Sequence, residues 1–202
     1  MINMNTILAA MIFVMSNGLT SCNIDSINNP DAVKVNELKN VNLPLDDLIK
    51  EHHIKVENLS VLIDKSDYVL SFINADTVVK EFPVVLGYNP VGDKLEQGDY
   101  KTPEGTFGVR SKYGHKSWKY FIWIDYPNEE SWSKFNKRKA DGTIGKNAKI
   151  GGEVGIHGTP EGMDNMIKEG TNWTFGCISL TRAHVSEIYP FFHKDIKIVI
   201  RA

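Results

Sequence analysis

The hydrophobic residues from position 59 onwards fall in short runs separated by Asn, Asp, Gly and Pro. The runs are rich in β-branched and aromatic residues, a composition typical of β-strands joined by tight turns. We predict strands over 59–63, 68–73, 78–85, 107–110, 120–124, 154–157, 177–180 and 196–200. The predicted fold class is therefore mainly β with a few helices.

Helical spacing occurs in three places. Residues 44–53 begin with Pro and place apolar residues on one side, which predicts a short helix. A polar, aromatic-containing segment over 125–149 predicts a long capping loop with one helix near 129–139. Thr181 is a candidate N-cap for a C-terminal helix whose apolar residues Val185, Ile188, Tyr189 and Phe192 share one face.

The N-terminus has the features of an export signal. Ile7 to Met15 is an apolar run of nine residues, too short to span a bilayer as a mature helix but suited to the centre of a secretion signal. The segment Leu19-Thr20-Ser21-Cys22 that follows resembles the lipobox of bacterial lipoproteins, which implies lipidation of Cys22. The opening MINMN departs from that pattern because it lacks Lys and Arg. The alternative is a buried N-terminal helix with an incidental Cys.

Three regions follow from this pattern: a signal peptide over 1–22, a tether with a possible short helix over 23–58, and one folded domain over 59–202. The length of 202 residues and the 42% hydrophobic content fit a single main core. A net charge of −2 gives no reason to expect nucleic acid as a partner. The spacing of His and Cys matches no common metal site, so we predict neither a metal nor an organic cofactor.

Cysteine usage singles out one thiol. The chain has two Cys, and lipidation of Cys22 would leave Cys177 without a disulfide partner in an oxidising compartment. A nearby imidazole can convert a thiol into a nucleophile. His157 ends one predicted strand and Cys177 begins another, and each lies beside a Gly. By themselves, two residues at this spacing fit a buried Cys and a core His equally well.

Longer motifs are more specific. Ile156-His157-Gly158-Thr159 and Thr174-Phe175-Gly176-Cys177-Ile178-Ser179-Leu180, with the earlier segment GDYKTPEGTF over 98–107, resemble the signature of L,D-transpeptidase (YkuD-like) domains. Tyr126-Pro127-Asn128 and Gly151-Gly152 resemble the YafK-like branch of murein enzymes. The resemblance covers residues 59–202 and implies a β-sandwich of mixed sheets with a capping loop.

The resemblance also implies residue roles. Cys177 would be the acylated nucleophile and His157 its base, with the carbonyl of Gly158 orienting the imidazole. The amides of Gly176 and Cys177 would lie at the oxyanion hole, and Thr174 stands where many members have Ser.

Two positions depart from the family pattern. Ser179 replaces a common Arg, and Phe175 replaces a frequent His, which puts substrate and acceptor preference in doubt. Trp132 and Trp173 are candidate substrate contacts because indoles can stack on sugars, and the alternative for both is packing in the core or the lid.

The implied reaction is acyl transfer on the stem peptides of peptidoglycan through a Cys177 thioester, in cell-wall cross-linking or remodelling. Hydrolysis of the same bond, as in YafK-like relatives, is one alternative. A non-catalytic wall-binding module is another, and a general cysteine peptidase is a weaker one. We expect an exported protein, held to a membrane through its N-terminal lipid and facing the periplasm or cell wall.

Overall fold

The computed structural model describes residues 37–202. The predicted signal over 1–22, Cys22 and the first part of the predicted tether lie outside these residues. The strands are β1 (Leu59–Asp64), β2 (Val69–Asn74), β3 (Thr77–Pro83), β4 (Gly105–Phe107), β5 (Val109–His115), β6 (Lys119–Ile124), β7 (Gly155–Gly158), β8 (Ile178–Leu180) and β9 (Lys197–Arg201). The helices are α1 (Leu45–Glu51), α2 (Glu129–Ala140), α3 (Asn165–Lys168) and α4 (Arg182–Ile188).

The strands form two sheets. The first has the order β3-β2-β1-β9-β4, and the second has the order β5-β6-β7-β8. Most neighbours are antiparallel, but β1 with β9 and β7 with β8 are parallel. In β1 the side chains of Leu59, Val61 and Ile63 are buried while their neighbours are partly exposed, which is the period of a strand with one face on the core. The predicted class, mainly β with a few helices, is confirmed.

The predicted strand over 107–110 is wrong as a single element. β4 ends at Phe107 in the first sheet, and β5 begins at Val109 in the second. The chain changes sheets at Gly108, whose amide donates to the Asp125 carboxylate at 3.0 Å while its carbonyl accepts from the Asp125 amide at 3.0 Å. These two hydrogen bonds with Asp125 fix the point where the chain passes from the first sheet to the second. The run of apolar residues over 107–110 does not indicate this change of sheet.

Two helices begin at capping residues. Asn128 accepts a hydrogen bond from the Ser131 amide at the start of α2, in agreement with the helix predicted there. Thr181 accepts from the His184 amide at the start of α4, as predicted. The four residues of α3 were not predicted because one turn is too short to show a period.

Part of the predicted tether packs on the domain. Leu45, Leu48 and Ile49 of α1 are buried in the main core. The Lys80 ammonium of β3 donates to Glu187 of α4 at 2.6 Å, and the same carboxylate accepts from the Leu45 amide at 2.7 Å. The folded unit therefore includes α1, upstream of residue 59. Within residues 37–202 no helix combines the length and hydropathy needed to cross a membrane.

We expect Gly155→Ala to lower the free energy of unfolding by about 1–3 kcal/mol, the usual cost of overpacking. A Cβ at this position of β7 would lie 2.5 Å from Phe121 Cζ and 2.7 Å from the Ile122 carbonyl oxygen. Gly114→Ala in β5 of the same sheet is the matched control, because its Cβ would meet nothing within 4 Å. Urea unfolding of both variants measures the difference, and equal stabilities would contradict the packing argument.

Candidate active site

The turn before β8 is built from the residues of the second motif. Thr174 Oγ1 donates to the Cys177 carbonyl at 2.7 Å and accepts from the Gly176 amide at 3.2 Å. Gly176 has φ +133°, and a Cβ there would lie 2.7 Å from the Lys101 carbonyl oxygen. Only glycine fits this position without strain. Thr174 therefore fixes the backbone that carries Cys177.

His157 lies on β7 among aromatic rings and is 2% exposed. The Trp118 ring stacks on it at 4.5 Å, Phe121 lies parallel at 5.9 Å, and Trp173 meets it edge-on at 5.4 Å between centroids. The imidazole Nδ1 is 2.9 Å from the Gly158 carbonyl oxygen. Because a carbonyl only accepts, Nδ1 carries the proton and Nε2 keeps its lone pair.

The parallel pairing of β7 with β8 places the segment that carries His157 beside the segment that follows Cys177. His157 is paired in register with Ser179, and Cys177 lies two residues before Ser179. Cys177 comes directly before Ile178, the first residue of β8. The Cys177 thiol donates to the Glu153 carbonyl at 3.6 Å. It must rotate away from that carbonyl to pass its proton to the imidazole.

Both candidate groups are uncharged at neutral pH. Burial lowers the pKa of His157 to about 4, against the opposing hydrogen bond to Gly158, with a small further lowering from His115. Burial raises the pKa of Cys177 to about 11, although the Gly155 backbone hydrogen bond and Lys94 act to lower it. The resting pair is therefore a thiol and a neutral imidazole.

A buried lysine lies beside the turn that carries Cys177. The sequence motifs did not identify it as a site residue. Lys94 is 6% exposed, and its Nζ is 3.9 Å from the point where a Cβ of residue 176 would sit. It donates to Asp99 at 2.7 Å. Burial acts to raise the pKa of Asp99, but hydrogen bonds from Lys94 and from the Lys101 and Leu95 amides outweigh it and lower the pKa. The only sequence signal was a Lys four residues before the GDYKTPEG segment.

A groove of about 570 Å³ opens beside this site. Its walls come from α2 and from the segment over 148–153, and they include Trp132, Phe135, Lys139, Lys149 and Glu153. Glu153, whose carbonyl contacts the Cys177 thiol, is at one end of it. The predicted capping segment thus forms one wall of a cleft next to the thiol.

The remaining predicted residues differ in accessibility. Trp132 lines the groove and is 46% exposed, and Phe175 is 74% exposed. Trp173 is half-buried against His157. Ser179 is fully buried, and its hydroxyl has no hydrogen-bond partner among the described residues. Its side chain is out of reach of a ligand in this structure, because β8 is covered on that face.

The L,D-transpeptidase catalytic-domain family, YkuD, has a model that matches residues 59–200. This chain belongs to that family. The match runs from the first residue of β1 into β9 and so covers both sheets, the thiol turn and His157. A comparison with curated proteins finds no match.

Solved structures share the L,D-transpeptidase fold. The helical cell shape determining protein Pgp2 of Campylobacter jejuni, in a mutant form, has a TM-score of 0.50 at 21% identity, covering 78% of this chain and 54% of that one. Bd1075 of Bdellovibrio bacteriovorus has a TM-score of 0.48 at 19% identity, covering 71% and 48%. An L,D-transpeptidase of Xylanimonas cellulosilytica has 0.48 at 14%, covering 71% and 60%. The chain spans about half the length of these proteins.

We expect the buried, neutral His157 to make this L,D-transpeptidase domain less stable in mild acid. Its folded pKa of about 4 lies below the ordinary histidine value of 6.5, so the unfolded chain binds more protons between these values. The contribution is present above pH 6.5 and is lost as the pH falls towards 4. From pH 7 to 5 it amounts to about 2 kcal/mol.

Urea unfolding of the parent and His157→Gln at both pH values measures this contribution. The variant should lose less free energy of unfolding between pH 7 and 5 than the parent. His184, whose pKa is also lowered by burial, acts in the same direction in both proteins. Equal losses of unfolding free energy between pH 7 and 5 in the two proteins would show that His157 does not cause the acid sensitivity.

We expect Lys94→Met to slow alkylation of Cys177 by iodoacetamide about three- to tenfold at pH 8, because a nearby positive charge favours the thiolate. Lys101→Met is the control, since that ammonium is bound to the Val91 carbonyl at 2.5 Å and does not act on the Cys177 pKa. Unchanged alkylation in a folded Lys94→Met protein would remove Lys94 from the electrostatics of the site.

Proposed function

We propose that this protein is a cysteine-dependent L,D-transpeptidase that acts on the stem peptides of peptidoglycan, with Cys177 as nucleophile and His157 as base. The observation that carries the proposal is the pairing of β7 with β8. It pairs His157 with Ser179, two residues after the partly buried Cys177, and the Gly158 carbonyl holds Nδ1 of the imidazole, which leaves Nε2 free to accept a proton. Membership of the family agrees with this chemistry.

The first half of the reaction forms a thioester. The thiol leaves the Glu153 carbonyl and gives its proton to His157 Nε2 as Sγ attacks the carbonyl carbon of the third stem residue. Proton transfer accompanies attack, because the resting thiol and imidazole are both neutral. The tetrahedral intermediate then expels the amine of the next residue, a D-amino acid, which takes the proton from His157.

The second half restores the thiol. An acceptor amine, the side-chain amine of a neighbouring stem, loses a proton to His157 and attacks the thioester carbonyl. Sγ leaves and recovers that proton, and a new amide joins the two stems. If water attacks instead, the product is a free carboxylate and the protein is an amidase.

The negative charge on the oxygen of the tetrahedral intermediate must be stabilised by nearby hydrogen-bond donors. The resemblance implies the amides of Gly176 and Cys177, but the Gly176 amide already donates to Thr174. It must give up that hydrogen bond to serve the oxyanion. The buried Lys94 ammonium supplies positive charge next to the same turn, which favours an oxyanion there.

Localisation is part of the proposal. The apolar run over 7–15 and the lipobox-like segment that ends at Cys22 support export and lipid anchoring, facing the periplasm or cell wall. Peptidoglycan is accessible there, so the membrane anchor and the substrate agree. The YafK-like branch stays a prediction from the sequence motifs.

The test is covalent capture by a carbapenem. The full chain and its Cys177→Ala and His157→Ala variants are incubated with the drug, and intact mass is measured. We expect one adduct on the parent, none on Cys177→Ala, and formation at least about a hundredfold slower on His157→Ala, the usual contribution of a general base. A folded, reduced parent that forms no adduct would refute the enzyme and favour a wall-binding module.

Purified muropeptides then separate transfer from hydrolysis. Incubation with a disaccharide-tetrapeptide, followed by mass spectrometry, should give a cross-linked dimer that lacks one terminal D-amino acid. A disaccharide-tripeptide as the only product would instead identify the amidase.

A further inference from the structure

Three aromatic rings form an exposed cluster beside the turn that carries Cys177. Tyr88 is 59% exposed, Tyr100 is 44% exposed and Phe175 is 74% exposed. Their ring centroids lie 6.1, 6.1 and 5.3 Å apart in the three pairs. We call these residues the aromatic platform. Tyr88 lies outside the sequence motifs, and the reaction above uses neither Tyr88 nor Tyr100.

The backbone that carries the platform is hydrogen-bonded to the turn that carries Cys177. The Tyr88 amide donates to the Thr174 carbonyl at 3.0 Å, and the Asn89 amide donates to the Tyr100 carbonyl at 3.2 Å. Gly87 bridges to Thr174 and packs so closely that a Cβ would lie 2.1 Å from the Tyr100 carbonyl oxygen. The platform is therefore positioned by the same residues that position Cys177.

The platform is distinct from the groove. It approaches Cys177 through Phe175, on the β8 side, whereas the groove reaches the thiol through Glu153, on the β7 side. A substrate that crosses the thiol can occupy both at once. This arrangement provides two separate binding regions for two parts of one substrate.

The chemistry of the platform favours a saccharide. Clustered exposed rings present flat apolar faces, and the two Tyr add hydroxyl groups for hydrogen bonding. A hexose chair has a C–H face of matching size, bordered by hydroxyl groups. The stem peptide instead offers methyl groups, carboxylates and amines, which do not require flat rings.

The distance from Cys177 to the aromatic platform also fits the length of a donor stem peptide. Phe175 lies two residues from Cys177, at most about 7 Å along the backbone, and its exposed ring extends beyond that point. The scissile carbonyl belongs to the third residue of the stem, so roughly 11 Å of extended peptide separate it from the sugar. A donor stem attacked at its third residue can thus place its sugar on the rings.

We propose that the aromatic platform binds the sugar attached to the donor stem peptide and so selects glycan-linked over free peptides. The proposal rests on the proposed function, since it assigns part of the same substrate. It makes Tyr88 and Tyr100 specificity-determining residues outside the thiol–imidazole pair.

The test compares two donors: a disaccharide-tetrapeptide and the same tetrapeptide without sugar. Full-chain parent, Tyr88→Ala and Leu43→Ala are assayed for kcat/KM with both. Leu43 is the matched control because it is 48% exposed and lies beside β3, with its carbonyl on Lys80. We expect Tyr88→Ala to lower the preference for the disaccharide donor about fivefold, the usual effect of losing one ring contact.

The outcomes distinguish failure of the proposed function from failure of the sugar-binding proposal. If the parent uses neither donor, the proposed function fails. If the parent is active but Tyr88→Ala reduces both donors by the same factor, the platform does not recognise sugar and the inference fails alone. The Leu43→Ala protein should keep the parent's preference, and the same loss in that protein would also overturn the inference.

A binding measurement gives a readout without catalysis. We expect N-acetylglucosamine tetramer to quench or shift the tyrosine fluorescence of the Cys177→Ala protein, and to do so less in Cys177→Ala with Tyr88→Ala. Sedimentation with phosphatidylglycerol vesicles is measured in parallel. Tyr88-dependent binding to vesicles but not to the tetramer would identify a membrane contact and overturn the saccharide proposal.

Discussion

The parallel pairing of β7 with β8 is the constraint on which the site depends. Antiparallel neighbours can be joined by a tight turn, but parallel neighbours need a longer connection. Here that connection runs from Gly158 to Ile178 and contains α3, Trp173 and the thiol turn. The register between His157 and Ser179 then fixes how far Cys177 lies from the imidazole. A slip of one residue would send the side chain to the opposite face of the sheet.

The aromatic shell of His157 gives the site its electrostatic character. Three rings pack around the imidazole and exclude water, so the neutral form is favoured and Nε2 remains a base in mild acid. The same exclusion disfavours a thiolate at Cys177. The thiol and the imidazole therefore do not form an ion pair at rest. Lys94 is buried as a cation, which its partner Asp99 makes possible, and it is placed where negative charge develops during the proposed reaction.

The sequence predicted more of the fold than of the site. Apolar runs located the strands and capping residues located two helices, because both signals are local. The crossing at Gly108 depends on Asp125, seventeen residues away, and no local run reveals it. The inclusion of α1 in the core depends on Lys80 and Glu187, which are 107 residues apart in sequence. Motifs indicated Cys177 and His157, but Lys94 and the engaged Gly176 amide became visible only from packing.

The hydrogen bond from the Cys177 thiol to the Glu153 carbonyl bears on the chemical durability of the protein. With a pKa of about 11, about one Cys177 in ten thousand is a thiolate at pH 7. Peroxides and disulfides react with thiolates, and the protonated, carbonyl-bound sulfur offers them almost no target. Only a ligand that displaces this hydrogen bond and turns the sulfur towards His157 creates a nucleophile. The partly buried thiol is thus protected from oxidants while it is protonated, and it becomes reactive when a substrate turns it towards His157.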